Sequence, residues 1–500
     1  MKLRELIVGA GLDPSGASDV EITGLAYSDA SVTEGTLFFC VQGMHSDGHD
    51  FAPRAMELGA AALVCQKRLD LDLPQIVVEN VRAAMGPTAA AFFGRPSRDL
   101  VMVGVTGTNG KTTTSFLVRH ILDRHGMQSG LLGTVLSIVG GERREVERTT
   151  PEAIDLQRTL REMAAGGDQA CVMEVSSHAL ELRRSDAIEF DCVVFTNLTQ
   201  DHLDFHGTLD RYFGAKRSLF VQPPASRPFT SIINLDDEWG RRLAAEVAEV
   251  GQTHLVTFAV ENDADYRADA IEVEVGGTSF ELTTPEGVVS VEIPLPGVFN
   301  VYNATAAIAA CHGLGVPVAK SAAMLSDAAT VPGRFEQIDE GQKFTVLVDY
   351  AHSPDSLENV LYGACDLLDG GRLICVFGAG GDRDRDKRPM MGEVAHRLCD
   401  HVIVTSDNPR SERPDEIIDQ IVSGARRASS ADSACVLEIE PDRRAAIRRA
   451  VGEARPGDIV LIAGKGHEQG QELAGGRKIP FDDRQVVREE LHELREGASQ

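Results

Sequence analysis

The chain has no apolar run long enough to span a bilayer, about 18 residues or more, so no membrane helix is expected. Its opening, Met1-Lys-Leu-Arg-Glu-Leu6, lacks the long apolar core of an export signal, and the expectation is a cytoplasmic protein. Basic residues are in deficit: 49 Lys and Arg against 76 Asp and Glu leave a net charge of −27. With no basic surface to neutralise phosphates, nucleic acid is excluded as the expected partner. An anionic small molecule must instead be held by a local cluster of Arg, Lys and backbone amides. There is no C-x-x-C pair; the nine cysteines are scattered and odd in number, which reads as reduced, mostly buried thiols. No internal repeat or low-complexity segment is found. What remains is a globular composition, 43% hydrophobic and 25% charged, in 500 residues, a length that predicts about three domains.

The most informative segment is Gly104-Val-Thr-Gly-Thr-Asn-Gly-Lys-Thr-Thr-Thr114. It follows an apolar stretch, residues 100–105, that reads as a buried strand. It opens a segment whose Phe116, Leu117, Ile121 and Leu122 share one helical face, with Gly126 as a stop, so a helix is predicted over 115–125. Strand, Gly-rich turn, Lys-Thr and helix is how a protein cradles a nucleotide triphosphate. Glycines let backbone N–H groups approach the phosphates, the helix N-terminus favours the anion, Lys111 reaches the terminal phosphates, and a Thr hydroxyl can ligate Mg2+. The match to G-x-x-x-x-G-K-[ST] is imperfect: Val105 stands at the first glycine, with glycines at 104 and 107 instead.

Residues 1–98 hold short strands and Gly-rich turns, among them Thr36-Leu-Phe-Phe-Cys-Val41 and the turn from Gln42 to Gly48. Arg95-Pro-Ser-Arg98 reads as a linker. Over 99–331, strands alternate with helices, as in a parallel sheet with crossovers, apart from a strand-rich insert near 253–295. A second boundary falls at Val331-Pro-Gly-Arg-Phe-Glu336, and 332–500 forms another α/β domain. In open α/β sheets ligands bind beyond the carboxyl ends of the strands. Six expected strand ends here carry polar clusters: Glu174; Asn197 to His202; Asp349 and His352; Gly378 to Asp384; Asp407 to Arg410; Gly464 to Glu468.

Glu174 and His202 bring a carboxylate and an imidazole toward the phosphate loop, a set suited to Mg2+ between nucleotide and substrate. Asn300 and Asn303 lie three apart, so both can face one ligand, although Asn300 also suits a helix cap. Taken by itself, Lys216, in a predicted helix over 211–220, reads as a solvated side chain. Asp407-Asn-Pro-Arg410 holds its Arg on a rigid turn, and that planar fork suits a carboxylate. Glu468 can take an ammonium; an Arg and a Glu converging from adjacent strand ends make a site for an amino acid.

Together these segments resemble the Mur ligase family of cytoplasmic peptidoglycan synthesis, over essentially the whole chain. Nine carry the resemblance in order: Thr106–Thr112, Arg148–Glu152, Glu174–His178, Thr196–His202, Phe299–Asn303, Gly333–Glu336, Asp349–Asp355, Asp407–Arg410 and Gly464–Glu468. The resemblance implies three α/β domains. The first is small and binds the uridine end of the substrate, the central one is a P-loop parallel-sheet ATPase, and the last is Rossmann-like and takes the incoming amino acid. It implies ATP bound by Thr106, Gly107, Thr108, Asn109, Gly110, Lys111, Thr112, Asn303, Arg334 and Asp349, and Mg2+ held by Thr112, Glu174 and His202. Ser28, Thr149, Thr150, Ser176, Leu182 and Arg184 would meet a UDP-muramoyl-dipeptide. Arg383, Asp407, Asn408, Pro409, Arg410, Gly464 and Glu468 would bind meso-diaminopimelate, the Asp-Asn-Pro-Arg turn separating this branch from lysine-adding relatives. Lys216 matches the family's carbamylated lysine, which replaces the solvated reading. Lys111, Lys216, Glu174 and His202 would be catalytic, in a monomer. Two places depart from the family pattern: Ser28-Asp29-Ala30 stands for its Asp-Ser-Arg, and Leu182 stands where a polar residue often contacts the dipeptide.

Two alternatives remain at this level. A folylpolyglutamate synthetase-like ligase shares the phosphate loop but should lack the Asp-Asn-Pro-Arg turn and the uridine domain. A nucleotide switch without ligase activity would need no amino-acid site.

Overall fold

A computed structural model describes residues 1–43, 46–221, 229–429 and 434–498. Met44 and His45, in the turn expected between Gln42 and Gly48, lie outside the described residues. Three sheets follow one another along the chain. The first is parallel, in the order β1 (Gly24–Ala26), β2 (Thr36–Phe39), β3 (Ala60–Cys65), β4 (Gln75–Val77).

The second sheet has eleven strands. In chain order these are β5 (Val101–Thr106), β6 (Ser129–Leu132), β7 (Ser137–Val139), β8 (Glu142–Arg144), β9 (Ala170–Glu174), β10 (Cys192–Phe195), β11 (Thr230–Asn234), β12 (His254–Ala259), β13 (Tyr266–Glu274), β14 (Gly277–Thr284) and β15 (Gly287–Ile293). They lie in the order 15-14-13-12-11-10-5-9-6-7-8. The centre is parallel, while β14–β15 at one edge and β7–β8 at the other pair antiparallel. The strand-rich insert therefore extends the central sheet rather than standing apart from it. Alternation along the strands sorts their apolar side chains to two faces. Val103, Val105, Val172, Val194 and Ile232 join one core, and Met102, Cys171, Met173, Val193 and Ile233 the other. The first face is covered by helices Lys111–Arg124 and Val298–Gly313. The second is covered by Ala153–Ala165, Leu209–Val221 and Glu238–Val250.

The third sheet runs β16 (Glu336–Gln337), β17 (Thr345–Asp349), β21 (Ile459–Ala463), β18 (Leu373–Phe377), β19 (His401–Val404), β20 (Val436–Ile439), parallel except for β16. A separate hairpin, β22 (Gly470–Leu473) and β23 (Arg477–Pro480), follows.

Several expected ends shift. Glu174 and Asp349 are the last residues of their strands, because Val105 still pairs with Glu174 and Asp349 with Ala463. The helix expected from Ser115 starts earlier, at Lys111, since Gly110 completes the turn with φ 83° and the backbone coils at once. Asn300 is no helix cap; Gly297 is, and the Asn300 amide donates back to the Pro296 carbonyl at 2.9 Å.

Candidate active site

The phosphate loop leaves β5 and enters its helix at Lys111. At Gly110 a side chain would meet Asn303 Oδ1 at 2.5 Å, so glycine is required twice over, by φ and by space. The loop is clamped from the strand end beside it. Asn197 accepts the Thr108 N–H through its carbonyl and the Asn109 N–H through Oδ1, each at 2.9 Å. Thr196 Oγ1 donates to the Asn109 carbonyl at 2.6 Å. Lys111 Nζ donates to the Gly107 and Thr108 carbonyls at 3.1 and 2.8 Å. Asn303 Oδ1 accepts from Thr114 at 3.2 Å, and its amide donates to Asn300 Oδ1 at 3.0 Å.

Lys216 is buried, on helix Leu209–Val221, against the solvated position that its sequence context alone suggests. Its Nζ donates to the Gly107 carbonyl at 2.7 Å and lies 4.7 Å from the centre of the Tyr212 ring. Burial, then the nearby Lys111 charge, holds its ammonium pKa well below the ordinary lysine value. Burial likewise lowers that of Lys111, against the opposing pull of Glu174. Two amines packed at one loop, with no carboxylate bonded to either among the described residues, make a site that calls for anions.

Glu174 is buried, its two oxygens accepting from the Thr134 N–H (2.8 Å) and Thr134 Oγ1 (2.9 Å). His202 sits in the left-handed region, φ 54°, its ring 4.7 Å from that of His178 and perpendicular to it. Burial lowers its pKa against the attraction of Asp201. The Asp201 pKa is lowered too: burial raises it, but His202, His352 and Lys387 together outweigh that.

From the last sheet, Arg334 reaches back to the loop, donating to Thr112 Oγ1 at 3.1 Å while its guanidinium lies 4.5 Å from the Tyr350 ring centre. Asp349 accepts the N–H groups of Phe335 and Ala351 at 2.6 and 2.7 Å; burial raises its pKa, more than Arg334 lowers it. Asp355, in the first turn of helix Pro354–Cys365, accepts from Asn109 Nδ2 at 2.6 Å and Thr199 Oγ1 at 3.1 Å. One cavity of about 590 Å3 opens between these groups. Thr108 to Thr113, Glu174, His202, Lys216, Asn303, Arg334, Asp349 and Asp355 all line it.

The residues expected at the dipeptide are divided. Thr149 and Ser176 line that cavity. Thr150 lies beneath it, its Oγ1 donating to the Glu174 carbonyl at 2.8 Å. Arg184 pairs with the buried Glu152 at 2.9 Å, as do Arg82 and Arg148. Leu182 closes helix Ser177–Glu181 and lines neither cavity. Ser28 lies apart, in a second cavity of about 370 Å3 shared with Tyr27, Phe92, Phe93 and Asp155.

The residues expected at the amino acid gather at the carboxyl ends of β18, β19 and β21, outside both cavities. Asn408 donates to Glu468 Oε2 at 2.8 Å and accepts from Lys465 Nζ at 3.0 Å. Lys465, buried, also donates to Glu468 Oε2 at 2.9 Å and lies 4.0 Å from Asp407. Glu468 thus already holds an ammonium of the chain itself. Gly464 adjoins Asp407: a side chain there would stand 2.6 Å from its Oδ2. Pro409 is buried; Arg410, φ 50°, donates from Nε to Glu472 at 3.0 Å and from Nη1 to the Gly381 carbonyl at 2.7 Å. Arg383 is exposed and donates to the Asp382 carbonyl at 3.2 Å.

Sequence reasoning passed over Lys465, Glu472 and Asp355. The first lies inside a motif already singled out. Glu472 sits on a hairpin whose Gly475-Gly476 turn was the available signal. Asp355 likewise ends a segment already singled out, Asp349–Asp355, but its contacts to Asn109 and Thr199 come from another domain and have no local signal. For Mg2+, a hydroxyl (Thr112), a buried carboxylate (Glu174) and an imidazole (His202) border the cavity. Among the described residues no group of three or more His, Cys, Asp or Glu forms a metal cage. A hydroxyl, a carboxylate and an imidazole are a donor set that Mg2+ accepts beside phosphate oxygens and waters.

Family models match three stretches of the chain. Residues 105–311 match the Mur ligase middle domain, 333–466 the Mur ligase glutamate ligase domain, and 21–92 the catalytic domain of the Mur ligase family. The chain is similar to the UDP-N-acetylmuramoyl-L-alanyl-D-glutamate–2,6-diaminopimelate ligase of Bacillus licheniformis, 42% identical over 501 residues, covering 99% of this chain and 100% of that one. A solved structure of an enzyme with the same name is similar at 31% identity and TM-score 0.67, over 95% of each chain. The MurF ligase of Thermotoga maritima, solved with ADP, shares the fold at 20% identity and TM-score 0.65, over 96% of this chain and all of that one.

Proposed function

The chain belongs to the Mur ligase family, and from that membership we propose that it joins meso-diaminopimelate to UDP-N-acetylmuramoyl-L-alanyl-D-glutamate, using ATP. The observation that carries this is the single cavity walled by the phosphate loop on one side and by Arg334, Asp349 and Asp355 on the other. A nucleotide held there bridges the central sheet and the sheet that bears the Asp-Asn-Pro-Arg turn. A nucleotide switch offers no reason for that turn or for a second domain seated on the loop.

In this reading the D-glutamate side-chain carboxylate attacks the γ-phosphate, ADP leaves, and the acyl phosphate is attacked by the free amine at the L-centre of diaminopimelate. The tetrahedral adduct collapses with loss of phosphate. The protein's part is placement and charge stabilisation. Lys111 and the loop amides hold the phosphates; Asn303 beside the loop, and Arg334 and Asp349 on the far wall, hold the nucleotide. Thr149, Thr150, Ser176 and Arg184 hold the dipeptide, with Arg184 fixed by Glu152. Thr112, Glu174 and His202 would hold Mg2+, which supplies charge neutralisation of the phosphates. Lys216 in its neutral form would accept CO2 as a carbamate, an anion placed between the loop and the metal ligands. The three sheets, 1–98, 99–331 and 332–500, serve as uridine, ATP and amino-acid domains of a cytoplasmic monomer.

The test is phosphate release from ATP in the presence of the UDP-muramoyl-dipeptide, with meso-diaminopimelate or L-lysine added in parallel. Stimulation by diaminopimelate alone is expected. Stimulation by lysine would keep the ligase and overturn the amino acid; stimulation by neither would overturn both.

A further inference from the structure

We propose that Glu472 is the positioning residue of Arg410: it fixes which end of the guanidinium faces the substrate and so sets selectivity for the distal carboxylate. This rests on the reading that Arg410 meets that carboxylate.

Glu472 lies on β22 and grips the Asp407–Arg410 turn three times. Its N–H donates to Asn408 Oδ1 at 2.9 Å, its carbonyl accepts the Arg410 N–H at 3.1 Å, and its carboxylate accepts from Arg410 Nε at 3.0 Å. On the other side Arg410 Nη1 is held by the Gly381 carbonyl at 2.7 Å. A side chain at Gly380 would press that nitrogen at 3.0 Å. The planar fork is thus pinned at Nε and at Nη1. Nη2 has no protein partner among the described residues and is the nitrogen left wholly to an incoming carboxylate.

The pinning carries weight because an arginine on a turn has four further rotatable bonds, and its ordering must be provided by partners. Gly381 alone holds one nitrogen and leaves the plane of the fork undetermined; two contacts on different nitrogens fix the plane. Arg410 and Glu472 are 21% and 33% exposed, so the pair is reached by solvent and its charge term is modest. Geometry, not charge, is therefore the larger effect. An amide at 472 preserves that geometry, whereas a methyl does not.

The experiment compares Glu472→Ala and Glu472→Gln, measuring kcat/KM for meso-diaminopimelate, kcat/KM for L-lysine, and KM for ATP, with Arg410→Ala alongside. Glu472→Ala is expected to lower the preference for diaminopimelate over lysine about tenfold, through KM and not kcat, with the ATP KM unmoved. Glu472→Gln is expected to restore the preference, since its side-chain oxygen still accepts from Nε. An unchanged preference in Glu472→Ala, or a Glu472→Gln as poor as Glu472→Ala, would overturn the proposal. If Arg410→Ala itself leaves the preference intact, the fault lies instead with the assignment of Arg410.

Discussion

At the scale of single residues, the site is built from charges whose partners decide what they can still do. Glu468, an expected ammonium acceptor, already receives Lys465 and Asn408 on one oxygen. Arg410 is held at Nε and Nη1, and under the proposed reading its loss falls on the amino acid alone. Arg410→Ala is expected to reduce kcat/KM for diaminopimelate by about 10³-fold, because a polar contact built for one group is lost with its partner. The ATP KM should stay within about twofold of the parent, as Arg410 lines no part of the nucleotide cavity. Equal loss of both in titrations would show that the turn serves the whole fold and not the substrate. Lys216 makes the complementary point. A lone lysine in a helix reads as solvated, yet packing against the phosphate loop buries it, with Gly107 accepting from its Nζ and Tyr212 of its own helix beside it.

At the scale of elements, loops at strand ends are held by contacts from neighbouring elements. The loop after β18 and the turn after β19 are tied by Glu412, which accepts both outer nitrogens of the buried Arg388 at 2.8 and 2.9 Å. Those hydrogen bonds pull the Glu412 pKa from 4.5 down to about 2. A depressed acid contributes stability that is complete above its unfolded value and lost as pH falls through the folded one. Stability of this part should thus decline between about pH 4.5 and 2, and Glu412→Gln should flatten that decline while lowering stability at neutral pH. Urea midpoints at pH 7 and pH 3.5 for both forms provide the check; parallel midpoints would remove Glu412 from the account. The elements themselves were largely legible. Strands and helices of the central and last sheets follow from apolar runs and 3.6-residue periodicity, with ends shifted by a residue or a turn where pairing continued past the apolar run. The hairpin β22–β23 was not foreseen, being short, mostly polar and without a buried apolar face.

At the scale of the whole molecule, the nucleotide cavity exists because two sheets meet. Asp355 joins the last domain to Asn109 of the phosphate loop and to Thr199, and Arg334 reaches Thr112. The backbone between the two sheets carries left-handed residues, Gly333 at φ 65° and Phe335 at φ 47°. An acyl phosphate is destroyed by water, so a working cycle calls for a closed and an open arrangement about that connection and the one at Pro96–Arg98. Solution scattering should show a smaller radius of gyration with an ATP analogue and the UDP-muramoyl-dipeptide than without them. Asp355→Ala should reduce that difference and raise the ATP KM about tenfold by removing the acceptor of the two hydrogen bonds from Asn109 and Thr199. Profiles identical with and without ligands would rule out closure about these connections.

The sequence by itself determined the phosphate loop, the alternation of strand and helix, the polar residues at strand ends and the family they resemble. All of these are local patterns: a period, a spacing, a run of glycines before Lys-Thr. Only the tertiary structure decided that Lys216 is buried, that Lys465 occupies Glu468, that Glu472 grips Arg410, and that Asp355 crosses to the loop. Apart from the Lys465–Glu468 pair, three positions apart but set by the fold of its loop against Asn408, these depend on contacts between residues tens to hundreds of positions apart, 246 for Asn109 and Asp355 and 109 for Lys216 and Gly107. Burial and charge pairing are properties of the folded neighbourhood, and no local pattern along the chain encodes them.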